Sequence, residues 1–135
     1  MTIQSWLSNL NKNKKNYFSV YKHMLKIEYT RANDHFILSL KGEIDASNSV
    51  DLDAAIQEIL LQGAKKILVN GTHLEYISSA GLGVFMSYLE EFQEKEIQII
   101  IFGLMDKVHQ VFIILGLDKL IAIKNTQEEA LEAMA

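Results

Sequence analysis

Between Lys66 and Leu115 the hydrophobic pattern changes period three times, and this alternation restricts the fold more than any other feature of the chain. Lys66-Ile67-Leu68-Val69-Asn70 is a short β-branched and aliphatic run, the pattern of a buried strand. Leu82, Phe85, Met86, Leu89 and Phe92 then fall at i, i+3, i+4, i+7 and i+10, a continuous helical stripe that predicts a buried face. Ile97 to Phe102 (IQIIIF) returns to a strand, broken by Gly103, and Asp106 to Leu115 reads as a helix closed by Gly116. Strands separated by helices pair in parallel through crossovers, and the helices cover the sheet.

The flanking segments extend the same order. Leu25 to Tyr29 alternates, Ala32-Asn33-Asp34 is a turn signal, and Phe36, Leu38 and Leu40 alternate up to Gly42, which together predict a hairpin. Asn48 is an N-cap candidate for a helix with Asp51 in its first turn; Leu52, Ala55, Ile56 and Ile59 form the buried face, Leu60 its edge, and Gly63 the stop. Leu120 to Ile123 reads as a last strand, and Thr126-Gln127-Glu128-Glu129 as a capping box for a last helix. The predicted order is ββαβαβαβα. It describes a single α/β domain over 24–135, a mixed, mostly parallel β-sheet covered by about four helices, with 1–23 as an N-terminal extension and a linker near 11–16.

Length and composition agree with one domain: 135 residues with 49% hydrophobic content are enough for a single core. No apolar run reaches the roughly 18 residues of a membrane span, and the first sixteen residues lack the apolar core of a secretory signal. The chain has no cysteine, which removes disulfides and thiolate metal sites. A soluble, cytoplasmic protein without membrane insertion is expected. The net charge of −4 hides an asymmetry. Lys12, Lys14, Lys15, Lys22 and Lys26 lie in a segment without acids, so the rest of the chain carries a net of −9. An acidic body argues against nucleic acid as the partner. The basic extension reads as a solvated tail, as an arm that touches an anionic surface, or as a docking arm whose Tyr17, Phe18, Val20 and Tyr21 pack on the sheet edge or on a second copy. A mis-set translation start is a further reading of the same residues.

Catalytic motifs are missing. Gly81-Leu82-Gly83 lacks both the third glycine of a dinucleotide fingerprint and the Lys-Ser/Thr of a P-loop, and no Gly-x-Ser-x-Gly elbow is present. His23, His35, His73 and His109 show no metal-ligand spacing. Glu43 and Asp45 flank a turn without other support as an acid–base pair. No enzyme, cofactor or metal is expected.

The polar feature that stands out is Ser78-Ser79-Ala80-Gly81, where the second predicted helix begins. Two readings compete. A serine here caps the helix, worth about 1 kcal/mol. A serine here is also a place where a phosphate is accommodated, because a helix N-terminus offers unpaired N–H groups and a partial positive charge. Gly81 and Gly83 would let a large partner approach the backbone. With the stripe of Leu82, Phe85, Met86 and Leu89 facing the core, Gly83, Val84, Ser87, Tyr88 and Glu91 face outward. Ser79, Gly83 and Ser87 then form one column and Val84 and Tyr88 an apolar neighbour to it, which reads as a docking surface.

The segments MLKIEYTRANDHFILSLKGEID, KKILVNGTHLEYISSAGLGVFMSYLEEF and IQIIIFGLMDKVHQVFIILGLDKLIAIKNTQEEAL together resemble a STAS domain, the fold of bacterial anti-sigma-factor antagonists, over about residues 24–133. Gly42-Glu43-Ile44-Asp45 and Tyr76 to Gly83 carry the resemblance. It implies a partner switch. A serine kinase that is also an anti-sigma factor binds the unmodified domain and phosphorylates it; phosphorylation breaks the complex, and a serine phosphatase restores it. The acceptor matches Ser79, with Ser78 as runner-up. The pattern departs from the family at Ser78 and at Asn70, both usually aspartate. His73 stands where the family has a small residue, so a contact with phosphate is one reading of it. The loop Asp45-Ala46-Ser47-Asn48 is expected beside the acceptor, so that Asp45, Ser47, Asn48, Ser78, Gly81, Gly83, Val84, Ser87 and Tyr88 form the partner surface. The other reading is a STAS domain that never switches, a scaffold or an accessory subunit of a transport or stress-sensing assembly. A homodimer is compatible with either.

Overall fold

The structure of the chain, a computed structural model, describes residues 15–16 and 25–134. Among them is a six-stranded sheet in the order β1-β2-β3-β4-β5-β6: β1 Lys15–Asn16, β2 Leu25–Ala32, β3 His35–Ile44, β4 Lys66–Ile77, β5 Gln98–Phe102 and β6 Ala122–Lys124. The first three strands are antiparallel; from β3 onward every pairing is parallel. The crossovers are α1 Ser49–Leu61, α2 Ser79–Glu94 and α3 Asp106–Ile114, the last followed by a 3-10 turn at Leu117–Lys119, and α4 Gln127–Met134 ends the described chain.

The alternation within each strand divides the sheet into two faces of unequal weight. On one face Ile27, Tyr29, Leu38, Ile67, Val69 and Ile101 pack against Leu52, Ile56 and Ile59 of α1, Leu82, Phe85 and Phe92 of α2, and Phe112 of α3. On the other, Leu68, Ile100 and Phe102 are covered by Ala130 and Met134 of α4, with Ile37 at the margin. Each fully buried aliphatic or aromatic side chain of the larger core contributes about 1.5–3 kcal/mol over leaving it in water. Thr126 accepts from the Glu129 amide at 3.1 Å, so its hydroxyl caps α4.

The predicted strand–helix order holds over 25–134, and three details change. Lys15 and Asn16, placed in the extension and its linker, pair with Thr30 and Tyr29 and add an edge strand. The rest of the extension, including Trp6, Leu7, Leu10, Tyr17, Phe18, Val20, Tyr21 and His23, lies outside the described residues. β3 and β4 run on to Ile44 and Ile77, so His73-Leu74-Glu75-Tyr76, beyond the strand predicted over Lys66–Asn70, is also strand. Register shifts between Ser39 and Lys41 and between Gly42 and Glu43, with Gly42 at φ +105°, break the two-residue period there and hide the strand from a search for alternation. The last strand begins later than predicted: Leu120 is 63% exposed and ends the 3-10 turn, because Gly116 and the turn take up the residues before it.

Candidate functional site

The ends of β3 and β4 place two helix starts side by side. The Ser78 amide donates to the Ile44 carbonyl at 2.8 Å, which ties the residue before α2 to the last residue of β3. From Ile44 the chain turns through Asp45-Ala46-Ser47-Asn48 into α1, so the predicted neighbour loop stands beside the serine pair.

That loop is held by its own hydrogen bonds. One carboxylate oxygen of Asp45 accepts from the Ser47 amide (2.8 Å), the Ser47 hydroxyl (2.6 Å) and the Asn48 amide (3.2 Å). The Asn48 side chain accepts from the Asp45 amide (2.9 Å) and donates to the Glu43 carbonyl (3.0 Å). Asn48 is the N-cap residue of α1, yet its side chain holds the turn rather than the helix amides, and it is 1% exposed. Its placement in a docking surface is thereby corrected: the side chain is occupied within the loop. Asp45 is half-buried, and Ser47 is exposed.

The two serines divide the roles that were in competition. Ser78, extended at φ −83° and ψ 171°, is the N-cap of α2, and its hydroxyl oxygen accepts from the Gly81 amide at 3.3 Å. Ser79 is the first residue of the helix and is exposed, and its hydroxyl has no hydrogen-bond partner among the described residues. α2 has no acidic residue in its first turn, whereas α1 has Asp51.

Along α2 the predicted faces are partly corrected. Gly83 and Ser87 are exposed and Val84 is half-buried, with the Ser87 hydroxyl donating to the Val84 carbonyl at 2.6 Å. Tyr88 is 7% exposed: its ring stacks on Phe92 at 5.6 Å, and its hydroxyl donates to the Asp53 carboxylate of α1. Burial first, and then the Asp53 carboxylate, push the Tyr88 phenol far above its ordinary pKa. Met86, assigned to the buried stripe, is 50% exposed instead. Positions 86 and 88 lie on opposite shoulders of the Phe85–Leu89–Phe92 stripe, and the helical period alone does not choose between them. The chosen residue has a hydroxyl that α1 can pair.

Gly81 is buried, and a Cβ there would stand 2.7 Å from Ile44 Cγ2 and 2.8 Å from Ile77 Cγ1. Its role is close packing of α2 onto the strand ends, and not approach by a partner. Gly83 has open space around its Cα. Exposed apolar side chains that the sequence patterns missed are Val50 at the start of α1 and Tyr76 at the end of β4, at 63% and 49% exposure. Tyr76 went unseen because the predicted strand stops at Asn70; a β-branched residue at the second position of a helix gave no signal. His73 is exposed on β4, in register with Lys41 of β3.

The described residues contain no helix long and apolar enough to cross a membrane. Comparison with known proteins gives one consistent answer. The profile of the STAS domain matches residues 26–130. The anti-sigma-B factor antagonist of Listeria monocytogenes is 30% identical over 99 residues, which are 73% of this chain and 87% of that protein. An anti-sigma factor antagonist from Mycobacterium paratuberculosis has the same fold, with a TM-score of 0.75 at 21% identity over 82% of this chain and 93% of that one. The Bacillus cell fate determinant SpoIIAA, in its phosphorylated form, gives 0.61 at 22% identity over 82% and 99%.

Proposed function

The chain belongs to the STAS domain family, and from that premise we propose that it is the phospho-regulated module of a partner-switching system. It acts as a cytoplasmic anti-sigma-factor antagonist: unmodified, it binds an anti-sigma factor with serine kinase activity; phosphorylated on Ser79, it is released; a serine phosphatase resets it. One observation carries the choice of residue. Of the adjacent serines, Ser78 holds the Gly81 amide, while Ser79 is exposed with an uncommitted hydroxyl. The relatives named as antagonists support the role, and the phosphorylated state of a protein with the same fold supports the chemistry.

The surroundings fit a switch that leaves the fold intact. A phosphate of about −2 at the first position of α2 sits at the positive end of a 16-residue helix. The chain on either side is acidic: segment 42–64 holds Glu43, Asp45, Asp51, Asp53 and Glu58, segment 74–94 holds Glu75, Glu90, Glu91 and Glu94, and neither contains Lys or Arg. A partner for this face presents basic or neutral side chains, and nucleic acid is disfavoured by charge. With that complementarity, release comes from the volume and desolvation of the phosphate at a close-fitting contact rather than from long-range repulsion. Ser47, Ser79, Gly83, Val84 and Ser87 form the contact surface, joined by Val50, Tyr76 and Met86.

Phosphopeptide mass spectrometry on the protein from its own cells tests this, with Ser79→Ala as control. Phosphate on Ser79 that disappears in the variant is the expected result. Phosphate confined to Ser78 would move the acceptor onto the cap. An unmodified protein under every growth condition would leave a constitutive binding module.

A further inference from the structure

A second apolar surface lies at the opposite end of α2 from Ser79. Leu89, Phe92, Gln93, Ile97, Ile99 and Leu120 line an open groove of about 320 Å³. Leu120 is 63% exposed, and Ile114 and Leu115, a few residues before it in the chain, are 76% and 53% exposed. Phe92 lies thirteen positions along α2 from Ser79, about 20 Å of helix, so this surface is separate from the serine site.

We propose that the groove is the seat of the chain's own N-terminal segment, with Ile3, Trp6, Leu7 and Leu10 as the inserting side chains. These four residues fall at i, i+3, i+4 and i+7, the spacing of one apolar helical face, and the positions between them are polar. Reach agrees. Lys15, Thr30, Ile37, Leu68, Ile100 and Ala122 form one row across the sheet, so β5 and β6 lie about 19 and 24 Å from β1 at ~4.8 Å per strand. β1 is entered at the end of the sheet where β4, β5 and β6 begin, which is the end that holds Ile97, Ile99 and Leu120. Five residues from Leu10 to Lys15 extend about 17 Å, and a helical Ile3–Leu10 adds about 10 Å; the stripe therefore brackets the groove. Charge agrees as well. Residues 1–14 contain Lys12 and Lys14 and no acid; near the groove Glu90, Glu94 and Glu96 are exposed and outnumber the exposed Lys95 and Lys119, at the end of α2 where the dipole is negative.

Trp6 is the only tryptophan, so its emission reports the contact directly in the full chain. The expected result is a blue-shifted emission protected from acrylamide, unchanged on dilution, that reverts to that of a solvated indole in Leu120→Lys. Leu61→Lys, at a site 84% exposed on α1, leaves the emission unaltered. Circular dichroism verifies that both variants fold, as the exposure of both positions implies. A solvated Trp6 in the parent chain overturns the proposal. So does a protected Trp6 that Leu120→Lys leaves untouched, or that only Leu61→Lys exposes. Protection that is lost on dilution places the segment on a second copy, and protection that arises only with anionic phospholipid vesicles places it on a membrane; either result overturns the intramolecular seat.

Discussion

Two helices of this domain begin with the same chemistry and opposite consequences. α1 starts at Asn48-Ser49 and α2 at Ser78-Ser79: in each a capping residue is followed by a serine at the first helical position. Ser49 is 8% exposed, under a loop whose polar groups are closed on one another. Ser79 is exposed, behind a cap that makes one hydrogen bond of 3.3 Å. A helix N-terminus therefore becomes a site only where the chain around it leaves it open. The tied loop before α1 keeps its shape and gives the neighbouring start a fixed wall.

The largest expected effects lie on the closed side. Ser49→Asp would bury a carboxylate close to Asp51, one of whose oxygens is already buried without a partner, and should cost about 3 kcal/mol or more in urea unfolding. Asn48→Ala removes the acceptor of the Asp45 amide and a donor to the Glu43 carbonyl in a half-buried turn, at about 2–3 kcal/mol. If either variant unfolds like the parent, the loop is not the fixed wall described here and the contrast between the two helix starts fails.

Gly81→Ala comes next, at about 1–3 kcal/mol, because the methyl group meets Ile44 and Ile77 below van der Waals distance and two strand ends must move apart. Ser78→Ala removes the α2 cap for about 1 kcal/mol. Measured as paired thermal and chemical unfolding, Ser78→Ala should lower stability and leave Ser79 available to a kinase. Equal stability of the Ser78→Ala and Ser79→Ala variants would erase the division of labour between the serines.

These contrasts also mark how far the sequence could be read. The strand–helix order was legible because the apolar segments change period where they change element, and the buried faces of α1 and of most of α2 follow from spacing alone. The exceptions have physical causes. The end of β4 was lost to two bulges within β4 itself, opposite Ser39–Lys41 and Gly42–Glu43 of β3, which replace a two-residue period with the buried–exposed–exposed pattern that puts Leu74 and Ile77 inward. Tyr88 and Met86 were exchanged because a helical stripe has two shoulders, and the preference for Tyr88 comes from Asp53, on another helix and 35 residues away. At the serine site, the pair and its helix were visible, but the ordering of roles was not. Which serine caps depends on backbone geometry at Ser78, and which is exposed depends on the loop that follows Ile44. Gly81 looked like an opening for a partner, since a glycine that makes room for a ligand and one that makes room for two isoleucines have the same letter.

The smallest expected effect bears most directly on the proposed switch. The first turn of α2 contains no acid, whereas the first turn of α1 does. Ser79→Asp therefore supplies a charge that the helix dipole lacks, and should raise stability by about 0.5 kcal/mol at low salt. The sign with pH follows. Stabilisation by the dipole lowers the folded-state pKa of the introduced carboxylate below its unfolded value of about 3.9, so the gain is complete above that pH and disappears as pH falls through the folded value. Added salt should remove it as well. The same substitution at Ser49 is expected to be the most damaging of the set, so one side chain placed at two equivalent helix positions should move stability in opposite directions. A Ser79→Asp variant that unfolds more easily than the parent would mean that negative charge disrupts this helix start, and modification of Ser79 would then act by loosening the domain instead of by changing its surface.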